Sequence, residues 1–141
     1  MKRALLDINV LIALLDMDHA HHGMARKWLR AEIDSGWASC QLTENGCIRI
    51  MSQPKYPTPV QTGEVMKRLK DAAATSYHEF WPDSFSILDE TVVDQGRIHG
   101  PKQFTDVHLL ALAVKRGGRF VTFDGAVPLS AFPALKRSIS R

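Results

Sequence analysis

The chain has 141 residues, 45% of them apolar and 23% charged, with a net charge of +3. That length buries roughly 68–70% of the unfolded surface in one core, so a single domain spanning 1–141 is expected. No apolar run reaches the roughly 18 residues that cross a bilayer, and the start lacks the pattern of a signal peptide, so a cytoplasmic protein with no membrane association is expected.

The chain opens on Ala4-Leu5-Leu6-Asp7-Ile8-Asn9-Val10-Leu11-Ile12-Ala13-Leu14-Leu15. This reads as a buried strand ending at Asp7 and a buried helix beginning about Asn9. A charge between two apolar blocks is costly unless it is paired, hydrogen-bonded or neutralised by a metal. A helix is predicted from about His21 to Ile33, with Ala25, Trp28, Leu29 and Ile33 at helical spacing. Trp37 to Cys40 reads as a short buried strand and Leu42 to Met51 as a helix using Leu42, Cys47, Ile48 and Met51 for core contacts. Cys40 and Cys47 read as small core residues of a reduced protein, not as a disulfide.

Pro54, Pro57 and Pro59 make a stiff loop. Helix returns from about Val60 to Ala74, with Val65, Met66, Leu69 and Ala73 on one face. His78 to Trp81 is a candidate strand, Phe85 to Val93 a short helix, and Asp94 to Gln103 a polar loop. Thr105 offers an N-cap to a helix through Val114 that is apolar nearly all round and is therefore central. Gly117-Gly118 ends it, and Arg119 to Phe123 reads as a strand followed by Asp124-Gly125. A last short strand is expected near Ser138-Ile139. Strands separated by helices imply a mostly parallel sheet covered on both faces, a three-layer α/β/α domain.

Asp7 and Asp124 close predicted strands, while Glu44 and Asp106 open predicted helices. In a parallel sheet these positions share one edge. Carboxylates gathered there repel one another unless a cation is present, and Mg²⁺ or Mn²⁺ prefers oxygen ligands. Each acid also has a local explanation. Asp7 suits a helix N-cap, Glu44 and Asp106 suit the helix dipole, and Asp124 suits a turn. Acids without a His/Cys ligand set suggest metal-assisted hydrolysis of a phosphodiester.

Leu6-Asp7-Ile8-Asn9-Val10-Leu11-Ile12 resembles the opening motif of PIN-domain ribonucleases. Leu42-Thr43-Glu44-Asn45-Gly46 is similar to the segment bearing their second acid, Thr105-Asp106 to the third, and Val121-Thr122-Phe123-Asp124 to the fourth. Within that family the chain looks closest to the VapC toxins of type II toxin–antitoxin pairs. The segment from Ser52 to Asp94 carries no family motif. The resemblance implies a parallel sheet of about five strands and an Mg²⁺- or Mn²⁺-dependent endoribonuclease acting on RNA. It also implies a homodimer and a VapB-type antitoxin that blocks the site. On that reading Asp7, Asp106 and Asp124 hold the metal, and Glu44 positions a metal-bound water or a second ion. Asn9 and Thr105 orient Asp7 and the bound phosphate.

His19, His21 and His22 invite a zinc reading, but a polar histidine-rich loop is more often a solvated helix entry. His108, Trp28, Trp37 and Trp81 read as core. Arg49, Lys55, Lys67, Arg68 and Lys70 are candidates for RNA phosphate contacts, with a solvated helix face as the competing explanation. Two rival functions are a phosphatase of the haloacid dehalogenase type and a PIN fold kept as an RNA- or protein-binding module. The first wants an Asp-x-Asp opening, where this chain has Asn9.

Overall fold

The computed structural model describes residues 2–93, 100, 104–124 and 139–140. Of the polar loop expected over 94–103, only Gly100 falls within the described residues, and Gly125 lies outside them.

Four three-residue strands form the heart of a parallel sheet: β1 (Ala4–Leu6), β2 (Trp37–Ser39), β3 (His78–Phe80) and β4 (Arg119–Val121). A two-residue strand, β5 (Ile139–Ser140), extends the edge beside β4, giving the order β3-β2-β1-β4-β5. That last strand falls one residue beyond the expected Ser138-Ile139.

Period-two alternation splits the sheet between two cores. Leu5, Ala38 and Phe120 pack on one face with the helix α5 (Phe104–Lys115) and with Trp81 and Val93. Ala4, Leu6, Trp37 and Val121 pack on the other face. That face is covered by α1 (Ile8–Leu15), α2 (His22–Glu32), α3 (Gln41–Met51) and α4 (Thr62–Ala73). Helix α5 carries seven buried residues among its twelve, matching its apolar character. At its end Gly117 adopts φ +65°, and the Gly118 N–H donates to the Ala113 carbonyl at 2.8 Å. The left-handed φ is what glycine supplies at a helix end.

Several expectations need correction. Phe85 to Val93 is not a helix but a pair of tight turns, closed by Asp89 N–H to Ser86 O at 3.0 Å and Val92 N–H to Asp89 O at 3.0 Å. The Ser86 hydroxyl accepts the Leu88 N–H and the Asp89 carboxylate accepts the Thr91 N–H, so side chains capture the amides that a helix would use. Thr105 is not an N-cap, because α5 already begins at Phe104. Met66 faces solvent, and Val65 and Leu69 carry the buried stripe of α4. The strand expected from Arg119 to Phe123 ends at Val121, which frees Thr122 to turn toward β1.

Candidate active site

Asp7 follows β1 directly and caps α1. Its backbone is extended, its own N–H donates to Val121 O at 2.9 Å, and its carbonyl accepts the Leu11 N–H at 3.0 Å. Both carboxylate oxygens are engaged although the residue is only 5% exposed. Oδ1 accepts the Ile8 N–H at 2.7 Å, and Oδ2 accepts the Thr122 hydroxyl at 2.6 Å. Burial raises the Asp7 carboxyl above its ordinary range, the Thr122 and Ile8 hydrogen bonds work against that, and the Asp124 charge adds to it.

Asp106 sits in the first turn of α5 and is also buried. Its carboxyl is pushed up to about 7, first by burial, then by the Asp7 charge, then by a hydrogen bond and charge from Asp124. Asp124 itself is exposed, and its backbone N–H donates to Thr122 Oγ at 3.0 Å. Thus Asp7, Asp106 and Asp124 act on one another electrostatically at the carboxyl edge of β1 and β4, where ligands of parallel sheets bind.

Glu44 lies on α3, which crosses the start of α1 so closely that a Cβ on Gly46 would stand 2.5 Å from the Ile8 side chain. Its Oε2 accepts the Ser39 hydroxyl at 2.7 Å. Among the described residues, no hydrogen bond joins it to Asp7 or Asp106. Asn9 contributes a buried Oδ1 without a hydrogen-bond partner. Thr105 is exposed and lines a groove of about 510 Å³ with Gln41, Asn45, Asp83, Phe104 and His108. Asn45 and Thr105 are the chain neighbours of Glu44 and Asp106, which themselves are not among the groove's lining residues.

The donor set suits a hard divalent cation. Burial and neighbouring carboxylates hold Asp7 and Asp106 toward the protonated form, and an orphaned amide oxygen stands two residues from Asp7. Among the described residues, no three acid, imidazole or thiol side chains already close around one point as a finished ligand shell.

The remaining candidates scatter. Arg49, Lys55 and Lys70 are exposed on or beside α3 and α4. Lys67 pairs with Asp71 at 3.4 Å, and Arg68 pairs with Glu64 at 3.0 Å and donates to Leu15 O at 3.2 Å. His19 Nδ1 accepts the His21 N–H, His22 Nδ1 bonds the Ala13 carbonyl, and the His21 ring packs on Phe123. Trp37 and Trp81 are buried, while Trp28 lies under the Arg119 guanidinium. His108 is more than core packing: its Nε2 lies 3.0 Å from Asp83 Oδ1 and its ring stacks on Phe85. Thr122, Ser39, His78 and Asp83 escaped the sequence reading. Thr122 lies within Val121-Thr122-Phe123-Asp124, but nothing local marks the others.

The PIN domain family profile matches residues 4–131. The chain is 54% identical to Ribonuclease VapC44 of Mycobacterium tuberculosis H37Rv over 131 residues, covering 93% of this chain and 92% of that one. It is 42% identical to Ribonuclease VapC38 of the same strain over 125 residues, covering 88% and 86%. Among solved structures it resembles Mycobacterium tuberculosis VapC20, described as a sarcin–ricin loop cleaving toxin, with a TM-score of 0.62 at 16% identity, covering 87% and 91%. It also resembles VapBC2 from Rickettsia felis bound to a DNA fragment from their promoter, with a TM-score of 0.59 at 15% identity, covering 86% and 87%. The structural likenesses speak for the fold, and the sequence likenesses for the family. The protein belongs to the PIN-domain family, among the VapC ribonucleases.

Proposed function

We propose that the protein is a divalent-metal-dependent endoribonuclease, the toxin of a VapBC-type pair, which cleaves RNA at the edge bearing Asp7, Glu44, Asp106 and Asp124. The observation that carries this reading is the gathering of acids at one edge, where burial first, and then the charges of Asp7 and Asp124, push the Asp106 carboxyl up to about 7. An idle cluster of this kind costs stability, and a bound cation offsets the cost. The names of the relatives add support: they are called ribonucleases, and one solved neighbour is a VapBC complex.

Asp7, Asp106 and Asp124 are the residues that would hold the ion, with Asn9 Oδ1 available as a further oxygen. Bound there, Mg²⁺ or Mn²⁺ would acidify a water and offset charge on the phosphate. The chain's own part is positional. Thr122 fixes the face of Asp7, burial of Asp7 and Asp106 keeps their charges unscreened, and Glu44 orients the water for in-line attack and accepts its proton. The water oxygen would bond to phosphorus as the P–O bond to the ribose oxygen breaks, and that oxygen would leave by taking a proton from solvent. Thr105 and the groove beside it receive the RNA strand, and the exposed Arg49, Lys55 and Lys70 contact its phosphates. Lys67 and Arg68 join them by exchanging their acidic partners for phosphate.

The same reading includes a homodimer, a cytoplasmic location and a cognate VapB-type antitoxin that covers the acidic edge. No helix among the described residues is long and apolar enough to cross a membrane. The test is cleavage of structured RNA with Mn²⁺ or Mg²⁺, with chelator as control. Asp7→Ala and Asp106→Ala should abolish cleavage while the circular dichroism spectrum is unchanged. Full activity in both variants refutes the site, and turnover of a generic phosphate monoester instead of RNA favours a phosphatase.

A further inference from the structure

We propose that His78 is a positioning residue for Glu44, acting through Ser39 in a hydrogen-bonded relay that runs from imidazole to hydroxyl to carboxylate. The inference rests on Glu44 belonging to the active site proposed above. It starts from three residues on three elements: Ser39 ends β2, Glu44 lies on α3, and His78 begins β3. The register pairs Trp37 with His78 and Ser39 with Phe80. Paired residues of a parallel sheet project to the same side, so Ser39 and His78 share the face that α3 covers.

Ser39 is 1% exposed, and its hydroxyl makes two contacts: Glu44 Oε2 at 2.7 Å and His78 Nε2 at 2.8 Å. A hydroxyl has one proton to give. The carboxylate can only accept, so it receives that proton, and the second contact must be donated by the ring. His78 therefore carries its hydrogen on Nε2, and the relay runs Nε2–H to Ser39 Oγ–H to Glu44 Oε2. Its direction is set by the charge at one end. Burial holds His78 below its ordinary pKa and so favours a neutral ring, the Glu44 charge countering this in part. The Trp37 ring packs against the imidazole, the centroids 4.4 Å apart and the planes tilted by 56°.

The relay takes one oxygen of Glu44 and leaves Oε1 outside it. A glutamate on a helix surface samples many rotamers, and each wasted orientation removes it from the reaction. Pinning Oε2 from the sheet removes that freedom before substrate arrives. If the contacts only tied edge strand β3 to α3, their loss would lower stability and leave turnover per folded molecule untouched.

The first measurement is histidine-ring ¹⁵N NMR on the full chain. Wild type should show His78 as the Nε2–H form, and Ser39→Ala should convert it to a mixture of forms. A wild-type ring protonated on Nδ1 with a bare Nε2 overturns the relay. The second uses steady-state cleavage of a pool of randomised-loop RNA hairpins with Mn²⁺. Ser39→Ala and His78→Leu should lower kcat about tenfold to a hundredfold with KM within about twofold, the range typical of groups that orient a site ligand. His78→Gln, which keeps an N–H at similar reach, should recover most of that loss. Equal losses in the Gln and Leu variants, or no loss in either, overturn the relay. Absence of cleavage by wild type would instead refute the ribonuclease reading, while the ring spectrum still decides the relay.

Discussion

Thr122 organises two of the three aspartates at once: its hydroxyl donates to Asp7 Oδ2 at 2.6 Å, and the same oxygen accepts the Asp124 N–H at 3.0 Å. A residue at the end of one strand thereby sets the carboxylate at the end of its neighbour. Thr122→Val keeps the shape and removes both functions. The buried Asp7 oxygen then lacks its donor, which should cost about 1–3 kcal/mol of stability. Mn²⁺ affinity by titration calorimetry should fall about tenfold to a hundredfold. Thr122→Ser should retain both properties, and equal behaviour of the Val and Ser variants would refute the role.

The carboxyl of Asp106 makes the metal-free protein sensitive to pH in a definite direction. Its ordinary pKa of 3.8 is raised to about 7 on folding. Between those values the folded chain binds more protons than the unfolded chain, so stability falls as pH rises, and the penalty is complete above about pH 7. Asp106→Asn removes this penalty. Thermal melts should show the variant more stable than wild type at pH 8, by roughly 3 °C or more, with the difference vanishing near pH 4. Mn²⁺ should raise the Tm of wild type at pH 8 and leave the variant nearly unmoved. A wild-type Tm that climbs steadily from pH 4 to pH 8 without metal would contradict the assignment.

Phe104 is 47% exposed at the mouth of the groove beside Asp106. An aromatic ring in that place offers a stacking surface to an unpaired base, worth about 1–3 kcal/mol per base. Phe104→Ala should therefore raise KM for RNA about fivefold to a hundredfold with kcat unchanged, and Phe104→Trp should preserve it. An unaltered KM in the alanine variant would remove the ring from the binding surface.

Asp83 joins the two helices that flank this groove. Its Oδ2 accepts the Leu42 N–H at 3.3 Å near the start of α3, its Oδ1 meets His108 on α5, and its N–H donates to Gln41 Oε1 at 2.8 Å. Asp83→Ala should destabilise the fold by about 1–2 kcal/mol in urea titrations, as loss of a capping acceptor does. A loss under a few tenths of a kcal/mol would show that water replaces it.

The parts of this molecule that were legible in the sequence are those written in local patterns. Ala4 to Leu6 alternates between two cores and ends on a charge, so strand, face and candidate site follow from a few residues. Helix α5 announces its centrality by being apolar all round. Phe85 to Val93 misleads because its apolar spacing suits a helix, while Ser86 and Asp89 divert the amides into turns. Ser39, His78 and Thr122 were illegible for a different reason. Their partners lie across the sheet, Thr122 at 115 residues from Asp7 and His78 at 39 from Ser39, and no spacing rule spans such distances. The lysines and arginine of α4 looked like a free cationic face, but Lys67 and Arg68 find acids one helical turn away.

Asp7 also holds the first turn of α1, through its side chain to Ile8 and its carbonyl to Val10 and Leu11. A cation bound at that carboxylate would compete for the charge that anchors the Ile8 amide. Occupancy of the acidic edge would thus reach the first turn of that helix. Hydrogen–deuterium exchange at Ile8 would then gauge metal loading with neither RNA nor turnover.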